Sequence, residues 1–195
     1  MTVMATHVAL LRGINVGGKN KVAMADLREV VAGLGHTDVS TYIQSGNVLF
    51  SPAPDAEADP SALADALAAA ITGTLGVTAP VVVLSRDELA DAIAANPFPD
   101  EEDPKRVHAV LLSGAPSADA VAKIDSAVER STAKGAHDEL AIVVRTLYLH
   151  TPDGFGNSEL AAAVLRIVTS PRAGVTGTAR NWATTLKLLD LCGDR

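Results

Sequence analysis

Cysteine is almost missing: Cys192 is the only one in 195 residues, so neither an intramolecular disulfide nor a cysteine-based metal cluster can form. Aromatic side chains make up only 3% of the chain. Tyr42, Phe50 and Tyr148 are the only ones on expected strands, too few for the stacking platform of RNA-binding sheets. No run of about 18 apolar residues is available to span a bilayer. The N-terminal stretch MTVMATHVALLRGIN lacks the basic start, long apolar run and small-residue cleavage site of a secretory leader. A cytoplasmic protein without a membrane partner is the expectation. His7, His36, His108, His137 and His150 never fall at the i, i+4 spacing of a zinc helix, and no serine sits in a nucleophile elbow. No metal and no cofactor is expected.

What remains is a globular composition, 48% hydrophobic and 20% charged, with 16 bases against 23 acids. A pI near 5.1 disfavours nucleic acid, whose binding needs cations against the phosphate backbone. The acidity is concentrated. Residues 52–105 hold 11 acids and 2 bases, mostly in SPAPDAEADP and FPDEEDPK, which read as solvated loops. Val8 to Ala25, in contrast, carries Arg12, Lys19 and Lys21 with no acid, and Leu160 to Leu189 carries Arg166, Arg172, Arg180 and Lys187 with none. Such segments attract anions.

Periodicity gives the order of elements. His7 to Leu11 reads as a buried strand; Met24, Leu27, Val30, Val31 and Leu34 recur at helical spacing, with Gly35 placed to end that helix. Val39–Ile43 and Val48–Phe50 form a hairpin around Gln44 to Asn47. Asp59 and Pro60 open a helix through Leu63, Leu67 and Ile71, and Pro80–Leu84 is a strand. Ser85 and Glu88 form a capping box for a linking helix. The pattern then restarts: a strand at 107–112, a helix behind Ser117, a hairpin around Arg145-Thr146, a helix from Asn157, and a short polar closing strand at 174–178. A last helix aligns Trp182, Leu186, Leu189 and Cys192 as core. The expected fold class is α+β, two β-α-β-β-α-(β) ferredoxin-like subdomains in tandem with a C-terminal helix. The boundaries are 1–85, a linking helix and acidic loop at 86–105, and 106–195.

GINVGGKN at 13–20 satisfies the G-x-x-x-x-G-K part of a P-loop, but Asn20 stands where Ser or Thr would hold Mg²⁺, and the helix begins too late to cradle phosphate. A backbone nest at Gly17 and Gly18 that holds an anion without hydrolysing it is a further reading. PDGFGNS at 152–158 resembles half of a dinucleotide fingerprint. Glu159 in place of the third glycine would repel a pyrophosphate, so Asn157 or Ser158 is read as a helix cap.

LLRGINVGGKNKVAM, TYIQSGNVLF and TARNWATTLKL resemble the family catalogued as domain of unknown function 1697, from about Ala9 to Leu191. The resemblance implies two ferredoxin-like subdomains and no known activity. The matching positions are Arg12, Gly13, Asn15, Gly17, Gly18 and Lys19; Gln44, Ser45, Gly46 and Asn47; and Arg180, Asn181, Trp182, Thr185 and Lys187. Glu159 departs from the family pattern, which has lysine there.

A core does not require Arg, Asn, Gln and Lys at such places, whereas a ligand site does. The leading expectation is that Arg12, Lys19, Arg180 and Lys187 converge with Asn15, Gln44, Asn47 and Asn181 at the junction of the subdomains. There they would bind a small anionic, phosphate-bearing ligand, with Gly17, Gly18 and Ser45 completing the set. Two alternatives stay open: a phosphoryl- or nucleotide-transfer enzyme using Lys19, and a purely structural polar network. Catalytic residues and oligomeric state are left unassigned.

Overall fold

The computed structural model describes residues 5–57 and 59–193; residues 1–4, the start of the N-terminal stretch, lie outside them. The chain divides into two compact units, one made of residues 1–91 and 187–195, the other of residues 92–186.

The first unit runs β1 (His7–Leu11), α1 (Met24–Gly33), β2 (Thr37–Tyr42), β3 (Asn47–Ser51), α2 (Pro60–Leu75), β4 (Val81–Ser85) and most of α3 (Arg86–Ala94). The second runs β5 (Val107–Leu112), α4 (Ala118–Ala133), β6 (Glu139–Val143), β7 (Thr146–His150), α5 (Glu159–Val168), β8 (Gly177–Asn181) and the start of α6 (Trp182–Cys192). Each has one four-stranded antiparallel sheet, ordered β2-β3-β1-β4 and β6-β7-β5-β8. The fold is therefore mixed α+β, with two such sheets and six α-helices among the described residues.

Local chemistry sets the helix ends. Asp59 accepts from the N–H groups of Ser61 and Ala62 with Pro60 at the first helical position, satisfying donors that a helix start leaves open. Ser85 and Glu88 exchange reciprocal bonds at 2.9 and 3.1 Å, as a capping box requires. Gly35 lies just past α1 at φ +84°, where a side chain would be strained.

Alternation then decides what is buried. In β1, Ala9 and Leu11 join Val48, Phe50, Leu27, Leu67 and Ile71 in the core beneath α1 and α2. In β5 the parity shifts by one, so that Val110 and Leu112 pack with Leu147, Ile124, Leu160 and Val164 beneath α4 and α5. The opposite sheet faces are buried as well: Val8, Leu10, Leu49 and Val82 in one unit, Val107, Ala109, Leu111 and Tyr148 in the other. Each fully buried Leu or Val contributes about 1.5–3 kcal/mol.

Several sequence expectations need correction. The closing strand forms at 177–181 rather than 174–178, because Pro171–Ala173 makes a 3-10 turn that Gly174 ends at φ +70°. The helix expected from Asn157 starts at Glu159, since a 3-10 turn occupies Phe155–Asn157 and Ser158 is the cap. In α6 the buried stripe is Thr184, Thr185, Leu188 and Cys192, while Leu186 is 42% exposed and Trp182 half-buried. The second hairpin turns at Val144-Arg145, one residue earlier than expected, with Val143 opposite Thr146. Val144, at φ +53° and 84% exposed, takes a conformation that β-branched residues rarely adopt.

Candidate functional site

In the first unit the Gly-rich segment leaves β1 and folds back on itself. Val16 pairs with Lys19 across Gly17 and Gly18, whose φ angles are +58° and +75°. The Lys19 N–H donates to the Val16 carbonyl at 3.1 Å, and the Asn15 N–H to the Asn20 carbonyl at 3.1 Å. This is a miniature hairpin tip with a two-glycine turn. A P-loop wraps phosphate between its glycines and the helix that follows the lysine; here Asn20–Ala23 intervene before α1, whose N-cap Ala23 offers no side-chain bond.

Asn15 ties this tip to the rest. Its Nδ2 donates to the carbonyls of Val22 at 2.9 Å and Gln44 at 3.0 Å, and its Oδ1 accepts from the Val22 N–H at 2.9 Å. The 43–46 turn is thereby held beside the loop, and the Leu11 N–H donates to the Gly46 carbonyl at 2.8 Å. Asn47 is fully buried and bonds the Tyr42 carbonyl and the Ser45 hydroxyl. Asn20, not among the expected site residues, donates to the Gly13 carbonyl at 3.0 Å. The amides of Asn15 and Asn47 are thus engaged in holding backbone.

The cations differ from the amides. Lys19 and Lys21 are exposed and form no ion pair among the described residues, and the N–H groups of Gly17 and Gly18 have no acceptor there. Arg12 is half-buried, and burial lowers its guanidinium pKa; its backbone N–H donates to the Pro80 carbonyl. Lys187, also of this unit, is ion-paired with Asp190, which raises its pKa.

Arg180 and Asn181 belong to the second unit, on β8. Arg180 is buried, its pKa pulled down to about 10 by desolvation, and it donates to the Thr178 hydroxyl and the Ala179 carbonyl, both at 2.8 Å. Asn181 accepts from the Thr184 N–H at 2.8 Å, closing the start of α6. The second Gly-rich loop is likewise structural: Ser158 accepts from the Ala161 N–H and donates to Asp138, and Glu159 pairs with Lys134.

The acidic loop is not the free linker that its composition suggests. Glu101 accepts from the Asp103 N–H at 2.9 Å and lies 2.8 Å from His150 Nε2, while His150 Nδ1 lies 3.0 Å from Glu139. Burial works against the imidazolium of His150, but the bonds to Glu101 and Glu139 outweigh it and raise its pKa. That proton stabilises the fold below about pH 6.5 and is lost as pH rises through the raised value.

His108 behaves oppositely. Its ring stacks on Phe155 at 3.8 Å, its Nδ1 is buried without a partner among the described residues, and desolvation lowers its pKa to about 4. Between that value and the unfolded value near 6.5, only the unfolded chain takes up the proton. The contribution of His108 to stability is therefore complete above pH 6.5 and falls as pH drops toward 4. Discounted for the partial exposure of the ring, the loss is about 1–2 kcal/mol. Urea titrations at pH 7 and pH 4.5 check this: His108→Leu should narrow the gap between the two by that amount, and an unchanged gap would contradict it.

No curated protein matches the chain. A solved structure of a conserved bacterial protein from Streptococcus pneumoniae is similar over 97% of this chain and 99% of that one, at 24% identity and a TM-score of 0.67, a likeness of fold. A family model for a protein of unknown function, DUF1697, matches residues 4–148. That span contains the first two motifs, Leu10–Met24 and Thr41–Phe50, and ends before Thr178–Leu188. The chain belongs to the DUF1697 family.

Proposed function

We propose that the Gly-rich tip and the adjoining turn of the first unit hold a small anionic, phosphate-bearing ligand. The observation that carries this reading is the combination of a stitched loop with unpaired cations: Asn15 fixes the tip through three side-chain bonds, and the tip presents Lys19, Lys21 and two unused glycine N–H groups. A preorganised donor set loses little entropy on binding, and backbone N–H groups beside lysines suit an oxyanion. Arg12 and Gln44 flank the tip, while Asn15, Ser45 and Asn47 serve as its scaffold. We read each unit as ferredoxin-like, on its β-α-β-β-α-β order and the strand order β2-β3-β1-β4 or β6-β7-β5-β8. Phosphoryl transfer by Lys19 is the weaker reading, since among the described residues no base or nucleophile bonds to that lysine.

Thermal unfolding with inorganic phosphate and with a nucleoside monophosphate tests the proposal. At 100 times Kd a bound ligand adds about 2.7 kcal/mol, which raises Tm by roughly 5–10 °C for a chain of this size. The increment should shrink by half or more in Lys19→Ala/Lys21→Ala, both positions being exposed and unpaired. An increment that the double variant leaves intact would place the ligand elsewhere, and no increment with either probe would refute the reading.

A further inference from the structure

We infer that the second unit carries a separate phosphate-class site in the cleft between the start of α4 and the end of α5. This cleft encloses about 220 Å³ and is lined by Asp119, Lys123, Arg166, Ser170 and Arg172 among others. It is smaller than the ~300 Å³ at which pockets for drug-sized ligands begin, so it suits a tetrahedral oxyanion or a short phosphate ester.

Its charge is the first argument. Three bases face one acid, and that acid is occupied, because Lys123 holds Asp119 at 2.6 Å. Arg166 and Arg172 form no ion pair among the described residues. Arg166 and Arg172 line one concavity with like charge that an anion between them would offset, and planar guanidinium forks match phosphate oxygens. The first-turn N–H groups of Ala118 and Asp119 have no intrahelical acceptor. Ser117 caps Ala120 alone, so the positive end of α4 adds to the same field.

The repeat supplies the second argument. The first unit has a cleft between its own helix pair, α1 and α2, of about 410 Å³, lined by Asp26 and Glu29 with Val30, Leu34, Ala70 and Leu75, and no base. The same order of elements thus carries opposite charge in the two clefts. Packing of the helix pair does not demand arginines there. Arg166, in the last turn of α5, gains from the helix dipole without any ligand; Arg172, on a 3-10 turn, has no such reason to face the cleft.

Residue-resolved amide NMR on the full chain, at constant ionic strength set with chloride, separates this site from the Gly-rich tip. Titration with inorganic phosphate and with glycerol 3-phosphate should give saturable shifts at residues 118–120, 170, 172 and 173 and none at 26–34. Equal affinity for the two probes assigns the free anion, and tighter binding of the ester assigns a phosphorylated small molecule; either supports the site. Arg166→Gln/Arg172→Gln, exposed positions that leave the core untouched, should raise Kd tenfold or more at residues 118–120 while leaving shifts at 13–21 as they were. Linear, unsaturating shifts at 118–120, or shifts there that the double variant does not alter, overturn the inference without touching the first site.

Discussion

Replacing Gly46 with alanine should cost about 2–5 kcal/mol of stability, enough to leave a marginal domain largely unfolded on warming. Two independent penalties meet at this position. Gly46 has φ +77°, where an added Cβ costs about 1–2 kcal/mol. The space is also taken: that Cβ would stand 2.8 Å from Leu11 Cβ and 3.0 Å from Ile14 Cδ1. Leu11 and Ile14 are each 1% exposed, and a Cβ cannot swing aside as a side-chain tip can, so overpacking adds a further 1–3 kcal/mol or so. Gly17→Ala is the control, because Gly17 has φ +58° with nothing within 4 Å of an added Cβ. Only the conformational penalty applies there. Chemical denaturation of both variants at a common m-value measures the difference. Equal losses for Gly46→Ala and Gly17→Ala would mean that the turn does not pack closely on β1.

Much of this arrangement was legible in the sequence, and the misses share a cause. Strands and helices followed from apolar spacing, and caps at Asp59, Ser85 and Ser117 from side-chain chemistry, because both signals are local. The Glu101–His150–Glu139 bridge went unread for a more specific reason. Glu139 faces His150 across the hairpin only if the turn is Val144-Arg145; one residue later, every pair shifts and Glu139 meets a different partner. Turn rules steer away from Val144 because a β-branched residue at φ +53° is disfavoured. Ile43, at φ +49° in the first hairpin, breaks the same rule. In the candidate site, the motif GINVGGKN marked a Gly-rich loop but not its shape, since G-x-x-x-x-G-K constrains composition and the two-glycine hairpin satisfies it equally. The roles of Asn15 and Asn47 were the hardest to read. An asparagine that binds a ligand and one that ties backbone look alike until its carbonyl partners, distant in sequence, are in place.

Asn15→Ala separates those two roles. A scaffold residue should cost stability first and binding as a consequence; a ligand contact should cost binding alone. The geometry predicts the scaffold outcome. Alanine removes both bonds to Val22, which is 6% exposed, and the bond to the Gln44 carbonyl, worth less because it is exposed. At about 0.5–1.5 kcal/mol per bond, with a further ~1 kcal/mol because Asn15 sits at φ +54° where alanine fits poorly, the loss should be about 2–5 kcal/mol. Asn15→Gly removes the same bonds without the conformational penalty, so it should retain about 1 kcal/mol relative to alanine. Asn15→Asp keeps the acceptor for the Val22 N–H but cannot donate to either carbonyl, and sets a carboxylate against two carbonyl oxygens. Denaturation midpoints rank the three variants, and hydrogen exchange at Val22 reports the local change: protection there should fall in alanine and glycine more than in aspartate. Weakened phosphate binding in Asn15→Ala at unchanged stability and unchanged Val22 exchange would instead make Asn15 a ligand contact, and the stitched loop would no longer explain why the cations are held where they are.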